Sequence, residues 1–386
     1  MTSFIRTSTN DDMKIGIVTP SIYMDTAHHG GRIFAPGDLA RHLVAGLTAR
    51  GHQVTWFSAP EDPRGSTLVA GDQSLLTKNL AMRVFQDVPP DLHDQFSLYG
   101  TKTYYELDLV AQAYQAAKEG NVDLIHNFHS FGHFAHFFQE LTGVPTLYTL
   151  HDPVPTRGML ERWLFDRFPA HRYISLSDAQ RGDVADHFIA TVYNGLDTAL
   201  FPFSAAPGSG LISVGRMVPE KGHDIAIAAA KAAGKPLVFA TWMNDTVKSS
   251  PYFKEKIEPH VDGKDVVINS LLQGESLSSA YQKAEALLFP LQWEEPFGLV
   301  MIEAMSCGTP VIAFNRGSVS EIVKDGVTGF VVDPAKGVDG LVEAIKKIGT
   351  IDRAACRALV EEKFTVDKMV EGYEKVYEKI LSQQPA

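Results

Sequence analysis

The chain has 386 residues, of which 45% are hydrophobic and 21% are charged. This length is more than one ordinary core needs and predicts two domains. The net charge of −11 argues against a nucleic-acid-binding protein. It also argues weakly against strong docking to an anionic membrane, and it leaves peripheral membrane contact open.

The N-terminal residues and the cysteines indicate where in the cell the protein is expected. Residues 1–12 are polar and lack the apolar core of a signal peptide, so we expect a disordered extension there. No apolar run approaches the roughly 18 residues of a membrane span. Two cysteines, Cys307 and Cys356, do not make a disulfide framework. The reducing cytoplasm is therefore the simplest location.

The first half of the chain alternates predicted strands and helices. A strand at 14–19, a helix at 38–50 and a strand at 52–57 form a β-α-β unit, which implies a parallel sheet with a right-handed crossover. The pattern continues with helices at 103–119 and 131–141 and strands at 122–127, 146–150, 172–175 and 191–193.

A stretch rich in Pro, Gly, Ser and Ala at 202–210 predicts a linker before a second alternating set. That set comprises strands at 211–214, 236–240, 266–269 and 286–290 and helices at 224–233 and 276–283. We therefore expect an α/β protein with two Rossmann-like, doubly wound domains facing a central cleft, with ligands at the carboxyl ends of the strands. A terminal amphipathic helix is predicted at 363–381.

The segment 292–318 carries two carboxylates, Glu295 and Glu303, with seven residues between them. A turn at 296–298 and a helix-competent run at 299–305 follow Glu295. Free N–H groups at a helix start attract anions. A carboxylate on each side of such a cradle suits a nucleotide sugar, whose hydroxyls would meet the carboxylates and whose diphosphate would meet the backbone. The alternative is an ordinary pair of solvated helix glutamates.

A second motif follows the predicted strand at 211–214. Gly215 opens a loop on which Arg216 and Lys221 lie five positions apart, ahead of a helix. Arginine makes bidentate charge-assisted hydrogen bonds and lysine supplies a point charge, so together they can neutralise a diphosphate. Two surface cations on a solvated loop are the alternative.

These two motifs resemble the donor site of retaining glycosyltransferases of family 4 (glycosyl transferases group 1), which have the GT-B fold. The resemblance covers nearly the whole chain from Met13 and is most specific between Ser213 and Val332. It implies an acceptor-binding domain at 13–204, a nucleotide-sugar-binding domain at 205–363 and a C-terminal helix at 364–386 that packs back on the first domain.

The resemblance also implies a reaction. A hexosyl unit, with UDP-glucose favoured as donor, would pass to an unidentified acceptor hydroxyl with retention at the anomeric carbon. Arg216, Lys221 and helix N–H groups would stabilise the leaving diphosphate. Glu303 would hold the ribose, Glu295 the sugar hydroxyls and the oxocarbenium-like centre, and His151 the donor sugar. The implied donor-binding residues are Gly30, Gly31, Gly215, Arg216, Lys221, Glu295, Phe297, Gly298, Leu299, Val300 and Glu303, and the implied catalytic residues are Glu295, His151, Arg216 and Lys221.

The loop after the first strand carries the glycine pair and several polar residues. Glycines allow a backbone to approach a phosphate or sugar closely, although such a pair is commonly a simple turn. In the family, a similar loop lines the donor diphosphate and the acceptor pocket. The residues expected on the acceptor side are Asp25, His28, His29, Arg32 and His129.

The histidines at 126, 129, 133 and 136 lack the partners of a recognised metal motif, which favours packing and acceptor-pocket roles. GT-B enzymes generally need no catalytic metal, so neither a metal nor another cofactor is expected.

Alternatives are a GT-B sugar phosphorylase or sucrose-synthase-like enzyme, a nucleotide-sugar epimerase and a non-catalytic binder. A nicotinamide dehydrogenase is disfavoured because no Gly-x-Gly-x-x-Gly follows the first strand. The acceptor, the donor base and sugar, the direction of transfer and the oligomeric state stay open.

Overall fold

The computed structural model of the chain describes residues 12–20, 24, 34–77, 90–128, 133–206, 208–270, 272 and 274–383. The chain divides into two compact units. The first comprises Met1–Ile174, Val184–Ala190 and Val370–Ala386, and the second comprises Ser175–Asp183 and Thr191–Met369. Each unit is built around one sheet, and neither is a single continuous stretch of chain.

The first sheet has seven strands in the order β3-β2-β1-β4-β5-β6-β7. The strands are β1 (Lys14–Val18), β2 (Gln53–Ser58), β3 (Thr67–Ala70), β4 (Leu124–Asn127), β5 (Thr146–Thr149), β6 (Arg172–Ser175) and β7 (Phe188–Thr191). The pairings from β3 through to β6 are parallel. Every residue of β4 and β5 is buried, as expected for a parallel sheet covered on both faces.

Five helices accompany this sheet before β7: α1 (Ala35–Ala49), α2 (Ser74–Thr77), α3 (Pro90–Lys118), α4 (Phe134–Thr142) and α5 (Leu160–Arg167). A 3-10 helix follows at Ala179–His187. The helix α1 has a proline in its first turn, where the missing N–H costs nothing. It buries Leu39, Leu43 and Leu47, which recur at helical spacing on one face.

The second sheet has six strands in the order β10-β9-β8-β11-β12-β13, and all five pairings are parallel. The strands are β8 (Leu211–Val214), β9 (Leu237–Ala240), β10 (Val266–Asn269), β11 (Ala286–Phe289), β12 (Val311–Phe314) and β13 (Gly329–Val332). The helices from here to the C-terminus are α6 (His223–Ala233), α7 (Asp245–Ser249), α8 (Gly274–Lys283), α9 (Leu299–Ser306), α10 (Val319–Ile322), α11 (Gly337–Lys347), α12 (Arg353–Lys363) and α13 (Val366–Ser382).

Both sheets reverse their strand order at one point, between β1 and β4 in the first and between β8 and β11 in the second. At such a reversal the loops leaving the two adjacent strands turn in opposite directions, and a crevice opens at the carboxyl ends of those strands. The predicted α/β class with two doubly wound sheets is confirmed. Within the described part of the chain, no helix has the length and apolar character needed to cross a membrane.

The end of α13 completes the core of the first unit through a buried hydrogen-bond chain. The hydroxyl of Tyr377 lies 2.6 Å from Nδ1 of His126, whose Nε2 lies 2.7 Å from Oγ1 of Thr149. The Thr149 hydroxyl lies 3.1 Å from that of Tyr373. All four side chains are buried, so each polar group depends on the others for its partner.

Several elements differ from the prediction: α3 begins at Pro90 and not at 103, and α5, α7 and α11 were not predicted. The half-exposed strand β3 was not predicted, because its residues carry no buried alternating face. The strand predicted at 191–193 lies earlier, at Phe188–Thr191. The helix predicted at 363–381 is α13 and begins three residues later, at Val366, because the backbone around Thr365 pairs with Leu196.

We expect Tyr377→Phe to lower the free energy of unfolding by about 1–3 kcal/mol, because it removes the partner of a buried imidazole nitrogen. Tyr377→Ala also creates a cavity, which raises the loss to about 3–5 kcal/mol. Urea unfolding measures both. The control is Tyr104→Phe, since Tyr104 is 56% exposed. Equal stability changes in Tyr377→Phe and Tyr104→Phe would contradict the role given to this hydroxyl.

Candidate functional site

The loop between β8 and α6 brings Lys221 back to the carboxyl end of the second sheet. It contains a short 3-10 helix at Pro219–Lys221 and ends at Gly222, which has φ +67°. A Cβ on Gly222 would lie 2.0 Å from the carbonyl oxygen of Pro290, so only glycine allows this loop to pack against the loop that leaves β11. The two loops at the reversal of strand order are thus in direct contact.

Lys221 and Glu295 meet at this contact. The Lys221 ammonium lies 2.6 Å from Oε2 of Glu295, and the two side chains are only 13% and 12% exposed. The indole N–H of Trp293 donates to the same oxygen at 3.0 Å. The ammonium also lies 4.9 Å from the Trp293 ring and 5.5 Å from the Phe289 ring, within range of cation-π attraction. One carboxylate oxygen therefore receives two hydrogen bonds in a largely dry setting.

The backbone around Glu295 is fixed by the segment that follows β12. The Ser318 N–H donates to the carbonyl of Glu295 at 3.0 Å, and the Ser318 hydroxyl donates to that of Phe297 at 2.7 Å. Gly317 has φ +54°, and a Cβ there would lie 2.3 Å from the Glu295 carbonyl oxygen. Glycine at 317 lets the two loops approach backbone to backbone, which holds Glu295 in place.

The helix α9 starts three residues after Pro296. Its N-cap is Gly298, its first residues are Leu299 and Val300, and Phe297 is buried just before it. The first N–H groups of an α-helix have no acceptor within the helix, so this end presents partial positive charge. The predicted loop, turn and helix start are found where the sequence placed them.

Glu303 lies one turn into α9 and contacts α8 rather than Glu295. The Tyr281 hydroxyl donates to Oε2 of Glu303 at 2.9 Å. Burial raises the pKa of Tyr281, and the adjacent Glu303 carboxylate raises it further, so the phenol remains a donor. The two predicted carboxylates therefore have separate partners.

Arg216 lies on the same loop as Lys221 with its side chain exposed. Its carbonyl lies 2.9 Å from Nε2 of His223, and Nδ1 of His223 lies 3.1 Å from the Ser213 hydroxyl. Burial lowers the pKa of His223 to about 4, so the ring is neutral at physiological pH. A neutral imidazole with two hydrogen bonds ties this loop to the end of β8.

His151 lies in the first unit, two residues after β5. Its ring contacts the Phe128 ring edge-on, with centroids 4.7 Å apart. Its Nε2 is buried and has no hydrogen-bond partner among the residues that the structure describes. Burial lowers the pKa of His151 to about 3. Unpartnered buried nitrogens are rare, so this ring nitrogen is a candidate ligand contact.

The predicted residues Asp25, His28, His29, Gly30, Gly31, Arg32 and His129 lie outside the residues that the structure describes. Among the described residues, no group of three or more His, Cys, Asp or Glu side chains is placed to hold a metal ion. His126 and His136 pack in the first unit with ring and hydroxyl partners. Metal independence stays a prediction.

Two family models match the sequence. The model for glycosyl transferases group 1 matches residues 208–363, and the model for glycosyltransferase family 4 matches residues 38–200. Together they span most of the chain and fall on its two sheets. The chain belongs to the family 4 glycosyltransferases. It is therefore a glycosyltransferase, and its two doubly wound units are those of the GT-B fold.

Individual proteins similar to this glycosyltransferase are distant. An uncharacterized glycosyltransferase of Methanocaldococcus jannaschii is 27% identical over 304 residues, which cover 72% of this chain and 83% of that protein. An uncharacterized 41.2 kDa protein from the cps region of Klebsiella pneumoniae is 31% identical over 170 residues, which cover 43% and 45%. The Anabaena protein HepE, solved with UDP and glucose, has a TM-score of 0.66 at 19% identity and covers 95% of this chain and 99% of its own.

The sequence did not single out three residues of this glycosyltransferase site. Trp293 holds Glu295 through its indole N–H. His223 holds the Arg216 loop, and Tyr281 holds Glu303. The sequence offered two signals: Trp293 lies two positions before Glu295, and His223 directly follows Gly222. Neither signal reveals the hydrogen-bond partner without the fold.

We expect His223 to make the glycosyltransferase acid-sensitive. Its pKa is near 4 when folded and near 6.5 when unfolded, so its contribution is complete above pH 6.5 and is lost as the pH falls towards 4. Between pH 7 and pH 5 the loss is about 2 kcal/mol. Urea unfolding of His223→Gln should show a shallower decline than the wild type over this interval. Parallel declines in the two proteins would rule out His223 as the cause.

Proposed function

We propose that this glycosyltransferase moves a hexosyl unit from a nucleotide diphosphate sugar, with UDP-glucose favoured, to an acceptor hydroxyl with retention at the anomeric carbon. One contact carries this proposal: Lys221 and Glu295 lie 2.6 Å apart beside the start of α9. Lys221 is a cation that suits a diphosphate, and Glu295 is a carboxylate that suits sugar hydroxyls. A nucleotide diphosphate sugar carries both groups side by side, so it needs two such residues next to each other.

The leaving diphosphate gathers negative charge as the glycosidic bond breaks. In this proposal the Lys221 ammonium, the Arg216 guanidinium and the N–H groups of Leu299 and Val300 stabilise that charge. The low exposure of Lys221 increases its effect, because water screens a partly buried charge poorly. These groups supply the positive charge that a metal ion would otherwise give, and we propose that no metal is needed.

Glu295 exchanges partners in the proposed cycle. Without donor, its Oε2 neutralises Lys221. When a diphosphate binds Lys221, the carboxylate turns to the sugar hydroxyls and to the positive charge that develops at the anomeric carbon. The indole N–H of Trp293 keeps Glu295 oriented during this change, because it donates to the carboxylate independently of Lys221. Glu295 acts electrostatically here, with no covalent intermediate.

The roles proposed for Glu303 and His151 follow from the hydrogen bonds that their side chains can form. Glu303, oriented by Tyr281, accepts from the ribose hydroxyls. His151 is neutral, so it contributes a hydrogen bond to the donor sugar through Nε2 and no proton. The acceptor oxygen then bonds to the anomeric carbon on the face from which the diphosphate departs, and its proton passes to the leaving phosphate. Attack on that face gives retention.

Two further observations bear on the donor and the compartment. The Anabaena structure with UDP and glucose favours UDP-glucose as donor. The free, buried Cys307 and Cys356 support a reducing compartment such as the cytoplasm.

A donor screen tests the proposal. The full chain would be incubated with UDP-glucose, UDP-galactose, GDP-mannose and ADP-glucose in EDTA, with and without a mixed acceptor pool. We expect UDP release from UDP-glucose that rises with acceptor, and NMR of the product should show an α-linkage. Release from no donor, with UDP binding intact, would overturn the proposal in favour of a phosphorylase, an epimerase or a binding protein.

We expect Glu295→Ala to lower kcat by about 100-fold or more, because it removes a group that acts on the developing charge. UDP affinity should persist or tighten, since Lys221 loses its carboxylate partner. Steady-state kinetics and calorimetry measure the two effects. The control is Glu285→Ala, because Glu285 forms an equally short pair with Lys235 at 2.6 Å. Full activity in Glu295→Ala would remove Glu295 from the mechanism.

Lys221→Ala should weaken UDP binding about 10- to 100-fold, the range expected for a lost charge-assisted hydrogen bond. Uridine, which lacks the diphosphate, should bind the variant and the wild type equally. Lys235→Ala is the matched control and should leave both affinities unchanged. If Lys221→Ala binds UDP as tightly as the wild type does, Lys221 does not contact the diphosphate.

A further inference from the structure

A cavity of about 390 Å³ opens in the first unit at the carboxyl ends of β4 and β5. Asn127 and Thr149, the last residues of those strands, line it. Its volume is within the range of small-molecule sites, and this edge of a parallel sheet is where such folds bind ligands. None of the donor-binding residues that the structure describes lines this cavity.

The cavity has an aromatic wall and an aliphatic part, and its polar lining residues are Asn127, His133, His136, Thr149, Asp152, Thr156 and Glu161. The rings of Phe165 and Tyr173 stack with centroids 4.5 Å apart, and Tyr148 lies 5.4 Å from Tyr173. The other apolar lining residues are Leu150, Pro153, Val154, Pro155, Met159 and Leu164. Flat ring faces next to branched aliphatic groups suit a ring-shaped apolar ligand.

The polar atoms of this wall already have protein partners. The Tyr148 hydroxyl donates to Gln139 at 2.8 Å, and the Tyr173 hydroxyl lies 3.2 Å from Nε2 of His136. Nδ1 of His136 lies 2.8 Å from His171. Burial raises the pKa of both tyrosines and lowers that of His136 to about 2, so these groups are uncharged. A saccharide placed against this wall would lose hydrogen bonds to water with little replacement from the wall.

The mouth of the cavity differs from its wall. Asp152, Thr156 and Met159 line it and are exposed. His151, proposed above to contact the donor sugar, lies between the lining residues Leu150 and Asp152. The cavity therefore pairs an apolar interior with a partly polar entrance, which fits a molecule that has an apolar ring at one end and a hydroxyl at the other.

We propose that this cavity holds the ring-bearing apolar part of the acceptor, so that the acceptor is an alcohol or glycoside with an aromatic group rather than a bare saccharide. This rests on the proposed glycosyl transfer and adds the class of acceptor to it. The ring packs against Tyr148, Phe165 and Tyr173, while the hydroxyl to be glycosylated stays at the mouth.

Calorimetry on the full chain tests the binding with two probes, 4-nitrophenyl β-glucoside and methyl β-glucoside, which share a sugar and differ in the ring. We expect the aryl probe to bind at least about 10-fold more tightly, because only it buries a ring. Met159→Glu should weaken the aryl probe at least about 5-fold by placing a charge at the mouth. Leu141→Glu, at a position on α4 that is 85% exposed, is the matched control and should bind as the wild type does.

Equal binding of the two probes would overturn the proposal, and so would equal effects of Met159→Glu and Leu141→Glu. Turnover separates this proposal from the function on which it rests. Donor cleavage with equal kcat/KM for aryl and methyl acceptors would keep glycosyl transfer and refute the cavity's role. Selective aryl binding that Met159→Glu weakens, without donor cleavage by any nucleotide sugar, would support the cavity and refute the transfer.

Discussion

The candidate site depends on the contact between the loops that leave β8 and β11. These strands are neighbours in the second sheet, and Gly222 lets their loops meet although Lys221 and Glu295 are 74 positions apart. A Cβ on Gly222 or Gly317 would lie 2.0 or 2.3 Å from a backbone oxygen, a distance that no side chain allows. The position of the ion pair is therefore set by close main-chain packing.

The same site shows how the charge of the little-exposed Lys221 is stabilised within the protein. An ammonium as little exposed as that of Lys221 would be costly alone, and Glu295, Trp293 and Phe289 compensate it. In the proposed cycle the donor diphosphate displaces Glu295 from Lys221, because it brings its own negative charge to the ammonium. A neutral sugar has no charge with which to do so.

Much of the fold could be predicted from sequence because its signals are local. The strands at Arg172–Ser175, Leu211–Val214 and Val266–Asn269 have the bounds predicted from short apolar runs. The start of α13 after Thr365 could not be predicted, because a pairing with distant Leu196 sets it. Motif spacing likewise singled out the charged residues of the candidate site, whereas the groups that orient them depend on tertiary packing and carry no local pattern.

The passage of the chain between the units also has a consequence for folding. The first unit contains both the N-terminal strands and Val370–Ala386. Its buried His126 forms a hydrogen bond with the hydroxyl of Tyr377, which is 251 positions away. No single cut in the chain separates the two units. During synthesis, the first unit cannot close its core until the ribosome has released the last turns of α13, so the part made first is completed last.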